Sequence, residues 1–398
     1  MRLTRQILSC TLLLAGSVPL GQAQSRGDLF PRTTDGIHLE MVFNYLQADI
    51  TKESGHVDMV WGSNYATAPS GVYNTAYIPY SVDNFSYSVS WYQQNHPDWL
   101  EYQCDQKTLA FEFGTTTLAP LDFANPEVQA FQWSNWVDAP ISQGFGGIAI
   151  DTMYLTNEWS RCGHFDPAGK WMQQYNGNYS DPVFRKAVLD WEAATYQHVH
   201  GFSPTATMQV NVVYQFDQPR KDNRQMMTTT DLVLDERGFT NWGGGHVTPD
   251  EWLGIVNALR YVQSKGVCNM VNGEVNGLTS KITEAQKLWI IANYLLIKND
   301  CTYMYMEGYT PATGQDYGRL ILFPEYRIKI GRATSDMFKA QGVWERKYSN
   351  GFVIVNPYDR SAKVKLPRGT WENVNHKRVG QFIQLPEHAG QILLKSEG

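Results

Sequence analysis

Residues 144–157 read GFGGIAIDTMYLTN. A short apolar run, Ile148, Ala149 and Ile150, stands between a glycine cluster and Asp151, and polar and aromatic residues follow at once. Such a run fits a strand buried on both faces of a parallel sheet, with Asp151 delivered into the loop at its carboxyl end. In an α/β barrel those ends form the face that carries the chemistry, which makes Asp151 a catalytic candidate. An Asp that merely caps the turn is the alternative.

On both sides of this stretch, short β-rich runs alternate with amphipathic helical segments. The runs are 39–44, 57–62, 75–80, 147–151, 207–214, 231–236, 267–274 and 302–309. Asn125 and Pro126 open one helix as cap and first helical residue. Thr248 and Glu251 make a capping box for another, and further helices are expected at 182–199 and 281–297. Eight strands separated by helices match the size of a (β/α)8 barrel. A doubly wound open sheet is the runner-up, but no glycine-rich phosphate loop follows the first strand. Between the third and fourth strands, residues 85–120 form an excursion large enough to wall a cleft, with a helical piece and a β-like patch, LAFEFG. After residue 318 the pattern changes to short strands with Gly, Pro and Asn turns, and a single short helix near 333–340. The expected organisation is a catalytic barrel over 36–318 and a small antiparallel β-domain over 319–398.

The first 23 residues carry Arg2 and Arg5, an apolar run from Ile7 to Leu14, and small residues up to Ala23. This is the layout of a secretory signal peptide, too short to span a bilayer, so a secreted or periplasmic protein is expected. Removing that leader leaves 31 basic against 39 acidic residues, a charge of about −8, which argues against nucleic acid as a partner. No other segment is apolar enough to cross a membrane. Four cysteines remain, and an oxidising compartment permits two bridges. Cys268 and Cys301 each start one of two consecutive strands and are read as a pair, which leaves Cys104 with Cys162. No spacing resembles a zinc site. Aromatic residues make up 13% of the chain, with 13 Trp and 22 Tyr, and such rings serve sugar-binding clefts as well as cores.

The predicted strand ends carry a set of polar side chains. Asn44 and Asp49 follow the first strand, Tyr80 and Asp83 the third, and Asp151 the fourth. Asn211 lies on the fifth, Asp235 and Glu236 follow the sixth, Asn272 and Glu274 the seventh, and Glu307 the eighth. Several carboxylates on one rim suit glycoside cleavage, where one acid donates a proton to the leaving oxygen while another, ionised, attacks carbon or activates water. Asp49 and Asp83 taken alone read as helix caps. Asp235 and Glu236 point to opposite faces of a strand, and parity leaves open which one enters the cleft. Glu274 and Glu307 are read as binding residues or salt-bridge partners. His198 and His200 do not share a helical face, which speaks against a metal pair; His164 and His246 are loop residues near the expected site. No G-x-S-x-G elbow or H-E-x-x-H motif is present.

The run PLDFANPEVQAFQWSNWVDAPISQGFGGIAIDTMY resembles the D-F-x-N-P-x-V segment followed by G-F-D-G-I-x-x-D in glycosyl hydrolase barrels of the α-galactosidase superfamily. It is similar in particular to hypothetical glycosyl hydrolase family 15, and more distantly to endo-α-1,4-polygalactosaminidases. HPDWLEYQCD, VLDERGFTNWG, FPEYRIKIG and ERKYSNGFVIVNP share the likeness, which covers about 38–395. One departure stands out, because Gly144, Phe145, Gly146 and Gly147 occupy the place of Gly-Phe-Asp-Gly. The resemblance implies an acid nucleophile after strand 4, Asp151, and an acid/base after strand 6, Glu236, with Asp235 as the alternative. The reading taken from all of this is an α-linked poly- or oligosaccharide substrate, with Tyr80, Asp83, Trp99, Asn211, Trp242, Glu274 and Glu307 lining the sugar sites and no cofactor, since two carboxylates suffice. A non-catalytic carbohydrate-binding barrel, or a polysaccharide lyase or deacetylase, is the alternative.

Overall fold

The computed structural model describes residues 26–31, 33–43, 56–83, 85–309 and 318–396. The expected leader and the candidates Asn44 and Asp49 lie outside the described residues.

Eight parallel strands form one sheet in chain order: β1 (Glu40–Val42), β2 (Met59–Ser63), β3 (Tyr73–Ile78), β4 (Gly147–Ile150), β5 (Thr207–Asn211), β6 (Leu232–Asp235), β7 (Cys268–Asn276) and β8 (Thr302–Tyr309). A parallel bridge from Leu39 to Met304 joins the first strand to the last, so the sheet closes into a (β/α)8 barrel. Gly147 permits close approach of β4 to β5, since a Cβ there would sit 2.1 Å from the Thr207 carbonyl oxygen.

Strand parity divides the side chains into two layers. Ala149, Leu232, Leu234, Cys268, Met270, Tyr303 and Tyr305 pack inside the barrel with Met41, Met59 and Trp61. Ile148, Ile150, Met208, Val210, Val233 and Val271 face the other way, into the helices. Those helices are α1 (Val89–Asn95), α2 (Pro126–Gln132), α3 (Pro182–Phe202), α4 (Arg220–Met226), α5 (Pro249–Gln263) and α6 (Glu284–Ile297). Asn125 caps α2, Asp181 caps α3, and capping boxes open α5 (Thr248, Glu251) and α6 (Thr283, Gln286).

The excursion after β3 folds against the loop after β4. Tyr102–Gln103, Arg161–Phe165 and Trp171–Gln173 form a three-stranded antiparallel sheet, and the Cys104–Cys162 disulfide ties its first two strands, with Cα atoms 5.1 Å apart. Beneath them the Arg161 guanidinium, fully buried, pairs with Glu101 and with Glu112 (2.8 Å) and donates to the carbonyls of Ser81 and Leu121. The patch LAFEFG is not a strand; only Leu109 bridges to Tyr102, because the Glu112 carboxylate turns in to Arg161. A second disulfide, Cys268–Cys301, joins the amino ends of β7 and β8.

Downstream lies an antiparallel β-domain. Strands β9 (Phe338–Ala340), β10 (Val343–Lys347), β11 (Gly351–Asn356), β12 (Trp371–Asn373), β13 (Arg378–Val379) and β14 (Ala389–Lys395) form a six-stranded sheet in the order 9-10-11-14-12-13. The short helix expected near 333–340 does not form: Ala333 bridges to Tyr348 and Phe338–Ala340 is β9. Gln341 (φ 52°) and Gly342 (φ 82°) make a two-residue turn with both φ positive, which returns the chain as a hairpin. This sheet docks on α6, which is buried on every side from Leu288 to Ile297. Gly390 makes the contact feasible, since a Cβ there would meet the Leu288 carbonyl oxygen at 2.4 Å. Arg346 and Tyr348 donate to the free carbonyls of Leu295, Leu296 and Lys298 at the helix end.

Candidate active site

The inward parity that buries apolar residues low in the barrel delivers polar ones at its carboxyl end. Asp151 stands one residue past β4, Asn211 ends β5, and Glu236 stands one residue past β6. Asn272 and Glu274 lie on β7 and Glu307 on β8, on the same face as Met270 and Tyr305.

The centre of the arrangement is a single amide. The Asn211 side-chain nitrogen donates to Asp151 Oδ1 at 2.8 Å and to Glu236 Oε2 at 2.7 Å. Both bonds end on one nitrogen, so the two carboxylate oxygens are separated by no more than the two lengths end to end, 5.5 Å. Asp151 also accepts from the Thr152 N–H (2.8 Å) and the Tyr77 hydroxyl (3.1 Å). Burial pushes its carboxyl above the usual carboxylate range, and these donors pull it back by stabilising the ionised form. Thr152 itself holds φ 61°, a costly conformation for a β-branched residue, and so fixes the backbone immediately after the acid.

Glu274 and Glu307 have the opposite surroundings. Burial, then the charge of Glu236, pushes Glu274 up to about 9. Burial, then the charge of Glu274, holds Glu307 well above its ordinary value. Glu274 accepts from Asn272 (3.2 Å) and Glu307 from the Gly318 N–H (2.6 Å). The rim therefore combines one carboxyl whose three donors favour its ionised form with acids that burial and neighbouring charge drive toward the protonated form, a division of roles suited to acid and base work.

A pH dependence follows from Glu274. Below about 4.5, its ordinary value, folded and unfolded chains both hold the proton; between there and about 9 only the folded chain does. Stability therefore falls as pH rises through that window and is level above it. Glu274→Gln, uncharged throughout, is expected to match wild type in unfolding temperature at pH 4 and to exceed it at pH 9 by roughly 2–4 °C or more. Parallel melting curves across the range would remove Glu274 from the buried acid group.

Other candidates lie elsewhere. Asp235 shares the outward face of Val233; one oxygen accepts from the Gly238 N–H (3.2 Å), the other is buried without a partner, and burial raises it to about 6. Tyr80 is not in the cleft, because β3 ends at Ile78 and the ring packs under the excursion against Phe123 and Trp191. Asp83 is buried as a loop anchor, accepting from the N–H groups of Phe85, Ser86 and Tyr87 and from the Tyr92 hydroxyl. Trp99 stacks on His96 at 3.9 Å and belongs to the core under α1. Trp242 is on the rim, 39% exposed, beside a bridge from Gly243 to Val275. His164 pairs with Asp122, and His246 stacks on His388.

Two residues that the sequence reading passed over belong to the site. Tyr77 shares the inward face of Tyr73, a parity legible in the run YNTAYI once the strand's end is known. Tyr154, three residues after Asp151, is mostly buried and feels the charges of Asp151 and Glu236. Among the described residues no group of three His, Cys, Asp or Glu side chains is placed to hold a metal ion.

Comparison with known proteins adds a family. The sequence profile of hypothetical glycosyl hydrolase family 15 matches residues 70–352. Similar solved structures include an α-amylase from Geobacillus thermoleovorans complexed with acarbose (11% identity, 92% of this chain and 99% of that one, TM-score 0.49). The type III pullulan hydrolase from Thermococcus kodakarensis (14%, 94% and 79%, 0.48) is another. So is the glycoside hydrolase domain of PelA from Pseudomonas aeruginosa (12%, 72% and 100%, 0.46). No curated protein matches the chain.

Proposed function

The chain belongs to hypothetical glycosyl hydrolase family 15, and from that premise we propose that this glycoside hydrolase cleaves an α-linked poly- or oligosaccharide with retention of configuration, using Asp151 as nucleophile and Glu236 as acid/base. The observation that carries the reading is the Asn211 amide shared by the two carboxylates. It keeps one oxygen of each carboxyl within 5.5 Å of the other, a shared tether that favours the roughly 5–5.5 Å carboxyl separation of retaining enzymes over the 6.5–9.5 Å that leaves room for water in inverting ones.

In this mechanism Glu236 gives its proton to the glycosidic oxygen as that bond breaks, and an Asp151 oxygen forms a bond to the anomeric carbon. The leaving alcohol departs with the proton. Glu236, now ionised, takes a proton from water, whose oxygen displaces Asp151 from the same carbon. Asn211 holds both groups in register and follows the shift of charge between them. Glu274 and Glu307, protonated, donate to sugar hydroxyls, and Trp242 offers a ring at the rim. Export fits the two disulfides.

The test is product release from a panel of α-1,4-glucan, α-1,6-glucan and α-1,4-linked galactosamine polymer, with NMR of the first-formed anomer. An α-anomer is expected; a β-anomer would overturn retention. Glu236→Gln is expected to lower kcat/KM, which reports the first half-reaction, by about 10²–10⁴-fold on a natural glycoside. The loss should be far smaller on a glycosyl fluoride, whose leaving group needs no proton. Equal losses on both would assign proton donation to another residue.

A further inference from the structure

The carboxylate pair sits at one end of a row of rings that runs outward. Tyr154 is mostly buried beside Asp151 and Glu236, and its ring centroid lies 6.0 Å from that of Trp159. Trp159, half-buried, lies 5.2 Å from Phe113, which is 61% exposed. The row thus runs from two half-buried rings beside the reacting groups to one ring exposed to solvent.

The backbone is strained to present these rings. Phe113 holds φ 55°, an outlier for a bulky residue, and Ser160, next to Trp159, holds φ 55° as well. Neighbours on each segment are tied to one buried ion pair. Glu112, adjacent to Phe113, and Arg161, two residues after Trp159, meet at 2.8 Å with almost no exposure. That pair fixes the two ring-bearing segments side by side. An exposed Phe gains nothing for the fold from this, and the core would be served by turning it inward.

We propose that Tyr154, Trp159 and Phe113 are a stacking platform that extends the catalytic cleft and holds successive sugars of an uncharged polysaccharide that turns along its length. The proposal rests on the glycosidase reading of Asp151 and Glu236. Aromatic faces stack on the C–H faces of sugar rings, and a row that ends in solvent offers such faces at increasing distance from the cleaved bond. Neighbouring ring planes are inclined by 58° and 62°, so the three faces do not lie in one plane. A flat ribbon meets one of the three faces; a chain that turns meets each. The exposed carboxylate of Glu158, adjacent to Trp159, acts on Tyr154 and Tyr179 and opposes an anionic sugar.

The experiment compares KM for an α-linked glycan cleaved in the panel above, presented as the polymer and as its trimer. In the double variant Phe113→Ala, Trp159→Ala the polymer-to-trimer KM ratio is expected to rise about tenfold over wild type, the equivalent of one lost stacking contact. Phe113→Tyr with Trp159→Tyr, which keeps a ring at each position, is expected to restore most of the ratio. In affinity electrophoresis, Asp151→Asn should be retarded by the α-linked polymer and not by a soluble β-1,4-linked ribbon. An unchanged KM ratio, or equal retardation by both polymers, would overturn the platform while leaving the hydrolase reading intact. Failure of wild type to release product from any glycan would overturn the hydrolase reading, and the platform with it.

Discussion

Asp151→Asn is expected to lower kcat by on the order of 10⁴-fold while leaving the fold in place. The substitution keeps the size and shape of the side chain. Its remaining oxygen can accept from Asn211 and the Thr152 N–H as Oδ1 does now, and the Tyr77 hydroxyl can rotate to accept from the new amide. What is lost is the negative oxygen that bonds to the anomeric carbon. Because burial is the largest influence on this carboxyl, removing its charge should leave the unfolding temperature unchanged or raised. Steady-state kinetics beside thermal unfolding checks both halves. A folded variant with wild-type turnover would dismiss Asp151 as nucleophile, and a wild type that binds glycan without turnover would favour a non-catalytic barrel.

The largest effect on stability is expected at Arg161. Its guanidinium is buried with Glu101 and Glu112, and it also donates to the carbonyls of Ser81 and Leu121. Even with Arg161 present, burial outweighs its attraction and pushes Glu101 up to about 8. Arg161→Met removes the guanidinium that pairs with both acids and should cost about 3–5 kcal/mol at pH 8, where the unfolded chain ionises them while the folded chain must keep them protonated or bury an unpaired charge. The sign with pH follows from the raised acids. Towards pH 5 both can hold their protons in the folded state, so the penalty shrinks as pH falls. Urea unfolding at pH 5 and 8 reads the difference, and adding Glu101→Gln and Glu112→Gln to Arg161→Met should recover much of it. A single variant as stable as wild type at pH 8 would mean that this triad does not hold the excursion together.

The eight strands were readable because each is a run of apolar residues bounded by turn or cap signals. The stretch GIAID and the capping boxes of α5 and α6 are cases where local chemistry and the fold agree. The face of each strand was harder to read. LVLD is apolar at both parities, since one side meets the barrel interior and the other the helices, so nothing in it says that Glu236 points inward and Asp235 outward. Tyr80 and Tyr77 exchanged roles for a related reason. The run continues apolar past Ile78, but the strand stops there, and Tyr80 already belongs to the excursion. Asp83 and Trp99 could not be placed at all without the excursion's own fold, whose organising residue, Arg161, lies far beyond both in sequence and pairs with Glu101 and Glu112. Long-range pairing of this kind leaves no periodic trace.

The docking of β14 on α6 bears on the order in which the molecule can be made. Helix α6 is apolar on every side and belongs to the barrel, yet the strand that covers its outer face, Ala389–Lys395, is translated long after it. As the chain emerges, the barrel can assemble its strands in order, but α6 must wait half-wrapped until that strand arrives. During this interval the nascent barrel exposes a greasy flank of the sort that chaperones recognise and that self-association exploits. The C-terminal sheet is thus a late-arriving shield, and a ribosome stalled before it would release a sticky barrel, not a smaller enzyme.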